Sequence, residues 1–258
     1  MKIPEIRRQE IRGLIQQEKS VSVEKIADVF GISVITVRRD LEKLDELGYI
    51  SKVHGGAIVK DSFTYEPVFE TQKNLYREEK LRIAKEASKR INDGDSIIIE
   101  SGSTCLALVS LLGDKKNLKI STAGVSVANE LLKLVQDKKD FEVSACGGII
   151  REGSSTYVGP HAVSYFKNLN VDMAFIGAVA ISVEKGLSTA TQFDAEIVKS
   201  VTECAKKVII LTDSSKFEKE SYINFLSLKD ADEIITDSNL KKDTAESLVK
   251  QGIKLTLV

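Results

Sequence analysis

Histidine, cysteine and proline are scarce in this 258-residue chain, with two, three and three copies, and tryptophan is absent. The three cysteines, Cys105, Cys146 and Cys204, are an odd, scattered set without a C-x-x-C pair. That argues against a disulfide framework, and with only His54 and His161 to assist them it also argues against a metal site. No apolar run approaches the ~18 residues that a membrane span requires. The opening MKIPEIRRQEIRG lacks the apolar core and cleavage site of a signal peptide. The expectation is a cytoplasmic protein with no membrane partner. Glycine (16) and proline are also too few for a fibrous or low-complexity chain. What remains is ordinary: 42% hydrophobic and 29% charged residues, enough to bury a core in one large or two modest domains.

Net charge is −1 overall, but it is unevenly spread. Residues 1–60 hold 11 Lys/Arg against 9 Asp/Glu, and residues 61–258 hold 26 against 29. A mildly basic start permits nucleic-acid binding without proving it, so the placement of the charges has to decide.

Two regions differ in periodicity. In the first, Ile3, Ile6, Ile11, Leu14 and Ile15 recur at helical spacing. Ser22 offers an N-cap to VEKIADVF, whose Ile26, Val29 and Phe30 are expected to face inward, and Gly31 stops that helix. Ser33 caps the next helix, VITVRRDLEKLDEL, with Val37, Leu41 and Leu44 toward the core, and Gly48 ends it. Residues 49–53, His54-Gly55-Gly56 and 57–59 read as a hairpin with a glycine turn. Two helices, a short turn, a third helix and a hairpin within 60 residues make a winged helix-turn-helix domain over 1–59. The second helix of such a motif enters the major groove of duplex DNA with its N-terminal residues facing base edges. Val34, Thr36, Arg38 and Arg39 fall on its outer side or flanks, with the caps Ser22 and Ser33 beside it and Lys52 and His54 on the wing. Arginine can fork to guanine or clamp a phosphate, and hydroxyls suit either partner. The bland alternative pairs Arg38 and Arg39 with Asp40 or Glu42 as surface charge.

Residues 60–75 lose periodicity around Pro67 and read as a linker. From residue 76 onward, apolar β-branched runs at 96–100, 118–122, 141–145, 173–177, 208–212, 233–236 and 254–258 alternate with helical stretches at 103–112, 125–135, 193–205 and 240–251. Continuously apolar strands separated by helices predict an α/β domain over 76–258, with a mostly parallel sheet covered on both faces.

EKIADVFGISVITVRRDLEKLDELGYISKVHGGAI resembles the DNA-binding domain of the DeoR family of bacterial regulators, most specifically in T-V-R-R-D-L and V-H-G-G-A. The likeness continues through E-S-G-S-T (100–104), G-G-I-I-R (147–151), V-G-P-H-A (158–162) and L-T-D-S-S-K-F (211–217). It implies a transcriptional regulator, usually a repressor of sugar catabolism, whose C-terminal domain senses a phosphorylated sugar or related metabolite. It further implies a sensor similar in fold to ribose-5-phosphate isomerase and the CoA transferases.

The sensor residues can also be read physically. Ser101, Gly102, Ser103 and Thr104 follow a strand and open a helix, where free N–H groups and hydroxyls suit an anion. Thr122 ends the next strand and Gly147-Gly148 the third, and ligands of open α/β sheets bind outside such carboxyl ends. Lys216 could place an ammonium on the same anion, and Glu100 is a carboxylate near the pocket. Asp194 and Glu196 could hold sugar hydroxyls or could equally occupy an exposed helix face. Where isomerases of this fold carry D-G-A-D-E for proton abstraction, this chain has Ile176-Gly-Ala-Val-Ala180, which holds no general base. Catalysis and cofactors are therefore not expected. Cys105 begins a helix near the anion site, but the expectation is that it packs.

Three departures from the family pattern bear on the effector: Glu100 where aspartate is usual, Thr122-Ala123-Gly124 for Thr-Asn-Ser, and Val179-Ala180 for Ser-Gly. Each removes a polar contact or intrudes on space. The expected partners are an operator duplex, a phosphorylated sugar-like effector and further copies of the chain, as a dimer or tetramer. Two competing readings are a phosphosugar isomerase or transferase fused to a helix-turn-helix, and an architectural DNA-binding protein whose C-terminal domain only oligomerises.

Overall fold

The computed structural model describes residues 4–18, 20–59, 63, 69–137 and 140–258. The chain divides into two compact units, Met1–Val68 and Phe69–Val258.

The first unit runs α1 (Pro4–Glu18), β1 (Ser20–Ser22), α2 (Val23–Phe30), α3 (Val34–Glu46), β2 (Ile50–Val53) and β3 (Gly56–Val59). Ile11 and Ile15 of α1 and Val37, Leu41 and Leu44 of α3 are buried, as their spacing requires. The α2 stripe turns differently from expectation. Val23 and Ile26 face inward while Val29 is 56% exposed, because an eight-residue helix offers only two positions to so narrow a seam. The expected hairpin, β2 against β3, gains a third strand, since β1 pairs antiparallel with the other edge of β3. Three residues with one apolar side chain, Val21, gave no strand signal.

The second unit starts earlier than residue 76. Of the expected linker, residues 60–62 and 64–68 lie outside the described residues, but α4 (Phe69–Asn74) is helical and buries Phe69. There follow α5 (Arg77–Ser88), β4 (Ser96–Ile99), α6 (Ser103–Val109), β5 (Lys119–Thr122), α7 (Val125–Asp137) and β6 (Glu142–Ala145). A hairpin, β7 (Ile149–Arg151) and β8 (Thr156–Val158), leads into α8 (Pro160–Lys167) and β9 (Met173–Ile176). The chain continues with β10 (Ala180–Ser182), β11 (Gly186–Thr189), α9 (Gln192–Glu203), β12 (Val208–Leu211), β13 (Ile223–Leu226), β14 (Glu233–Thr236), α10 (Lys242–Lys250) and β15 (Leu255–Leu257).

All seven expected strands join one parallel sheet in the order β15-β14-β12-β9-β4-β5-β6. Alternate residues feed two cores. Ile98, Ile210 and Ile234 pack on one face, and Ile97, Ile99, Ile209, Leu211 and Ile235 on the other. This is the two-sided burial that continuously apolar strands predict. A side sheet, β10-β11-β13, and the β7–β8 hairpin are antiparallel additions of three or four residues per strand, too short to register as periodicity. No helix of the described residues is long and apolar enough to cross a membrane.

The sheet order reverses once. The chain lays down β4, adds β5 and β6 to one side, then returns to place β9 on the other. The carboxyl ends of β4 and β9 therefore flank a topological switch point, where an open α/β sheet leaves a crevice.

Candidate functional site

In the first unit the turn between α2 and α3 is fixed at both ends. Gly31 closes α2 at φ 61, a left-handed geometry that suits glycine, and its N–H reaches Ala27 O. Ser33 accepts the Thr36 N–H at 3.3 Å and shares a hydrogen bond with the Thr36 hydroxyl at 2.9 Å. Ser22 caps α2 in the same way, accepting from the Lys25 N–H at 3.1 Å. Both serines are thus occupied by their own helices. Val34 and Thr36 are half-buried, and Ile35, Arg38 and Arg39 are exposed on α3.

The charge that could have neutralised these arginines goes elsewhere. Asp40, only 3% exposed, accepts from Arg7 Nε at 2.6 Å and its terminal nitrogen at 3.2 Å, and lies 3.3 Å from Arg8 Nε. The short, charge-assisted bond that Arg7 donates to Asp40 raises the guanidinium above its ordinary pKa. Glu42 pairs with Lys52 at 3.2 Å. Among the described residues neither Arg38 nor Arg39 makes an ion pair. The pairing of Arg38 and Arg39 with Asp40 or Glu42 is therefore not seen. Lys52 is thereby partly neutralised, so the wing offers His54, exposed in its turn, and a lysine already shared. The Arg12 guanidinium lies 3.9 Å above the Tyr49 ring, bracing α1 against the start of the wing.

In the second unit, Glu100 and Ser101 lie at the switch point. Ser101 Oγ donates to Glu100 Oε1 at 2.5 Å. Burial pushes the Glu100 carboxyl up, and hydrogen bonds from the side chain and backbone of Ser101 and from Gly177 partly offset this. Glu100 therefore ties the β4 and β9 ends together, leaving Ser101 and Ser103 half-exposed beside it while Thr104 is buried. Gly102 opens α6 at φ 95. Thr122 departs from expectation. It is fully buried, its hydroxyl donates to Glu100 O at 2.9 Å and accepts the Gly124 N–H at 2.9 Å, and nothing is left for a ligand. Its role is to fix the β5 loop, since Gly124 is too close to Glu100 O (3.0 Å from an added Cβ) to carry a side chain freely.

Gly147 and Gly148 follow β6. At Gly148, φ is 120 and an added Cβ would stand 2.7 Å from Val158 O, so glycine is needed for the β7–β8 hairpin to fold over the strand end. Asp194 and Glu196 separate. Asp194 accepts from the Thr191 hydroxyl and from Ser154 Oγ at 3.2 Å, and lies 3.3 Å from Arg151 Nε. Its charge also acts on Glu100. Glu196 is exposed further along α9 and bonds Gln192 Nε2 at 3.1 Å, so the structure assigns it to the helix surface. Lys216 ends the 3-10 turn Ser214–Lys216 after β12 and donates to Gln72 Oε1 at 2.7 Å. It stands two strands from β4, about 10 Å by strand spacing.

Three residues escaped the sequence reading. Arg151 sits inside G-G-I-I-R but was given no role, although an arginine directly after two isoleucines on an edge strand is a usable signal. Gln72 lay in the presumed linker. Lys80 falls on the buried stripe of α5 with Ile83, Ala84 and Ala87, a lysine where the helical period calls for an apolar side chain. Desolvation lowers its ammonium to about 8, and its Nζ donates to Gln72 O at 2.5 Å and Leu75 O at 2.8 Å.

The thiols are quiet. Cys105 donates weakly to Phe175 O at 3.7 Å, and burial raises it well above an ordinary thiol despite its place in the first turn of α6. Burial likewise lifts Cys146 to about 12 and Cys204 to about 11. Among the described residues no three His, Cys, Asp or Glu side chains converge on a metal position.

Two family models match the chain, the DeoR-like helix-turn-helix domain over residues 7–63 and the DeoR C terminal sensor domain over 76–238. Among relatives, a protein of Escherichia coli O157:H7 named as a repressor of the aga operon is 33% identical over 98% of this chain and 93% of its own. HTH-type transcriptional regulator GlpR of Haloferax volcanii is 31% identical over 97% and 96%. HTH-type transcriptional regulator IolR of Bacillus subtilis is 31% identical over 85% and 86%. Of solved structures, ribose 5-phosphate isomerase A from Methanocaldococcus jannaschii is 19% identical with a TM-score of 0.39, over 55% of this chain and 54% of that one. Translation initiation factor eIF-2B from Pyrococcus horikoshii is 15% identical with a TM-score of 0.39, over 83% and 68%.

Proposed function

The chain belongs to the DeoR family of DNA-binding transcriptional regulators, not to an enzyme family, and from that membership we propose that it is a repressor of sugar-metabolism genes modulated by a phosphorylated sugar. Residues 1–59 bind the operator, and residues 76–258 bind the effector and hold copies of the chain together.

One observation carries the DNA half: two exposed arginines in the second turn of a capped recognition helix, with Asp40 and Glu42 already committed to other cations. Arg38 and Arg39 then meet the major groove or its flanking phosphates, with Val34 and Thr36 beside them and His54 and Lys52 at the wing. Ser22 and Ser33 support this surface by holding α2 and α3 in place. A single winged helix buries only ~600–1,000 Å² on DNA, which favours two heads on a two-fold axis and symmetric half-sites.

The effector half is supported by convergence at the switch point. Ser101, Gly102, Ser103 and Thr104 bring hydroxyls and backbone N–H groups to an anion, Lys216 and Arg151 bring positive charge, and Asp194 accepts sugar hydroxyls. Gly147 and Gly148 let the hairpin approach. Glu100 and Thr122 act from behind, as ties that set the loop positions. Relatives named for the aga operon, GlpR and IolR are compatible with a carbohydrate-derived effector.

The test uses an operator duplex enriched from a random pool by the wild-type protein. Arg38→Ala is expected to cost about 1–3 kcal/mol with relaxed preference at one base pair if it reads a base, or to weaken all sequences alike and lower the salt slope by about one if it holds a phosphate. A double Arg38→Ala, Arg39→Ala protein that binds as wild type does would remove the assignment.

A further inference from the structure

The candidate effector lysine is not idle in this structure. Its Nζ grips Gln72, a residue of α4, the first described helix of the second unit, which starts ten residues after the last residue of the wing, Val59. Three separate ties hold α4. The Phe69 N–H donates to Gly153 O at 2.9 Å, in the β7–β8 turn whose neighbours Arg151 and Ser154 hold Asp194. Lys80 Nζ caps the C-terminal end through Gln72 O and Leu75 O. Lys216 Nζ takes the Gln72 side chain. A six-residue helix is not stable alone, so these ties and the burial of Phe69 are what keep it folded.

We propose that α4 is a latch that reports occupancy of the effector pocket: an anion that engages Lys216 displaces Gln72, and α4 loosens at the point where the chain departs for the DNA-binding domain. This rests on Lys216 being an effector contact. The chemistry favours exchange in that direction. Gln72 offers the ammonium a neutral amide oxygen, whereas a phosphate offers charged oxygens and so adds the attraction of an ion pair to the hydrogen bond.

A buried acceptor lies at the start of the turn that carries Lys216. Asp213 is only 1% exposed; its Oδ1 accepts from Ser215, but its Oδ2 is buried without a hydrogen-bond partner. An orphaned carboxylate oxygen is costly. The charges of Asp213 and Lys216 both act on Lys80, with opposite signs, so the three groups form one local set. The loosened state would give this oxygen an ammonium partner. The latch thus has two arrangements of the same groups, and ligand binding biases one of them.

The experiment uses the full chain and needs no known effector. Gln72→Ala removes the acceptor; Gln72→Glu replaces it with a carboxylate that binds Lys216 more tightly. Operator affinity is read by fluorescence anisotropy on the enriched duplex, and α4 by hydrogen exchange of amides 69–75. Gln72→Ala is expected to raise exchange across 69–75 and to weaken operator binding about tenfold. Gln72→Glu is expected to keep the amides protected and to bind at least as tightly as wild type. If both variants melt like wild type and match its operator affinity within about twofold, α4 is not a latch. Glucose 6-phosphate at millimolar concentration is the probe for the pocket itself. A melting temperature of wild type and of Lys216→Ala raised equally by it would overturn the reading of Lys216, and with it the exchange proposed here. A rise in wild type that is lost in Lys216→Ala, with faster exchange at 69–75 in wild type only, would establish both.

Discussion

Asp40 is the residue on which the recognition helix is mounted, and Asp40→Ala puts a number on that mount. The carboxylate is buried and answers two guanidinium groups of α1, with the closest bond at 2.6 Å from Arg7, itself only 7% exposed. Removing one member of a buried pair costs ~3–5 kcal/mol, because a charge is left in a place water reaches poorly. Arg8 has 23% of its side chain exposed and can recover hydration, so about 3 kcal/mol is the expected loss. Against the ~5–15 kcal/mol that holds a small domain together, this is a large fraction. The assay is urea unfolding followed by two probes, one in each unit, since two compact units need not melt together. The first unit's transition is expected to move to lower urea while that of the second unit stays. Operator affinity should fall with it, although Asp40 is itself buried. Adding Arg7→Met to Asp40→Ala should recover part of the loss, since it removes the guanidinium left buried without its partner. A single Asp40→Ala variant within about 0.5 kcal/mol of wild type would refute the mount, because that is the effect of an ordinary surface substitution.

Acid and base each have a specific target in the second unit. Glu233 is fully buried; burial pushes its carboxyl up, but bonds from Arg90, Thr256 and Lys254 outweigh this and leave it at about 2. With a folded pKa below the unfolded one, its contribution is present above about pH 4.3 and is lost as pH falls toward 2, roughly 3 kcal/mol in all. Glu233→Gln should flatten that part of the stability profile, and an acid limb of unchanged steepness would count against the network. Lys80 works in the opposite range. Its ammonium is held at about 8, so the unfolded chain binds more protons between about pH 8 and 10.4, and stability rises with pH there by up to ~3 kcal/mol relative to Lys80→Met. Equal slopes for the two proteins would show that Lys80 is not desolvated as described.

The seven central strands were legible because both of their faces are buried, so every residue from Ile97 to Ile99 or from Val208 to Leu211 is constrained to be apolar. The helix-turn-helix was legible through its punctuation: Ser22, Gly31 and Ser33 each perform the backbone task that their residue type predicts. Elements that depend on a single long-range contact were not legible. α4 forms around Phe69 and ties to Gly153 and Lys216, both distant in sequence, as well as to Lys80, and its own residues carry no amphipathic period. The site divides the same way. Strand ends located Glu100, Ser101 and Gly147, but the direction of each side chain was hidden. Thr122 turned its hydroxyl to Glu100 O, Asp194 and Glu196 went to different faces, and Arg151 came in from a hairpin that periodicity could not detect.

The three thiols have a consequence outside DNA and sugar chemistry. In oxidation by peroxide and in disulfide exchange the thiolate is the attacking nucleophile, and a group held at about 11 or 12 is ionised in only ~10⁻⁴ or less of molecules at pH 7. Cys105, in the first turn of α6 after the Ser101-Gly102 loop, is raised well above its ordinary value as well. Slow oxidation of all three thiols is the expected outcome. Purified material should keep a constant free-thiol titre in air without added reductant.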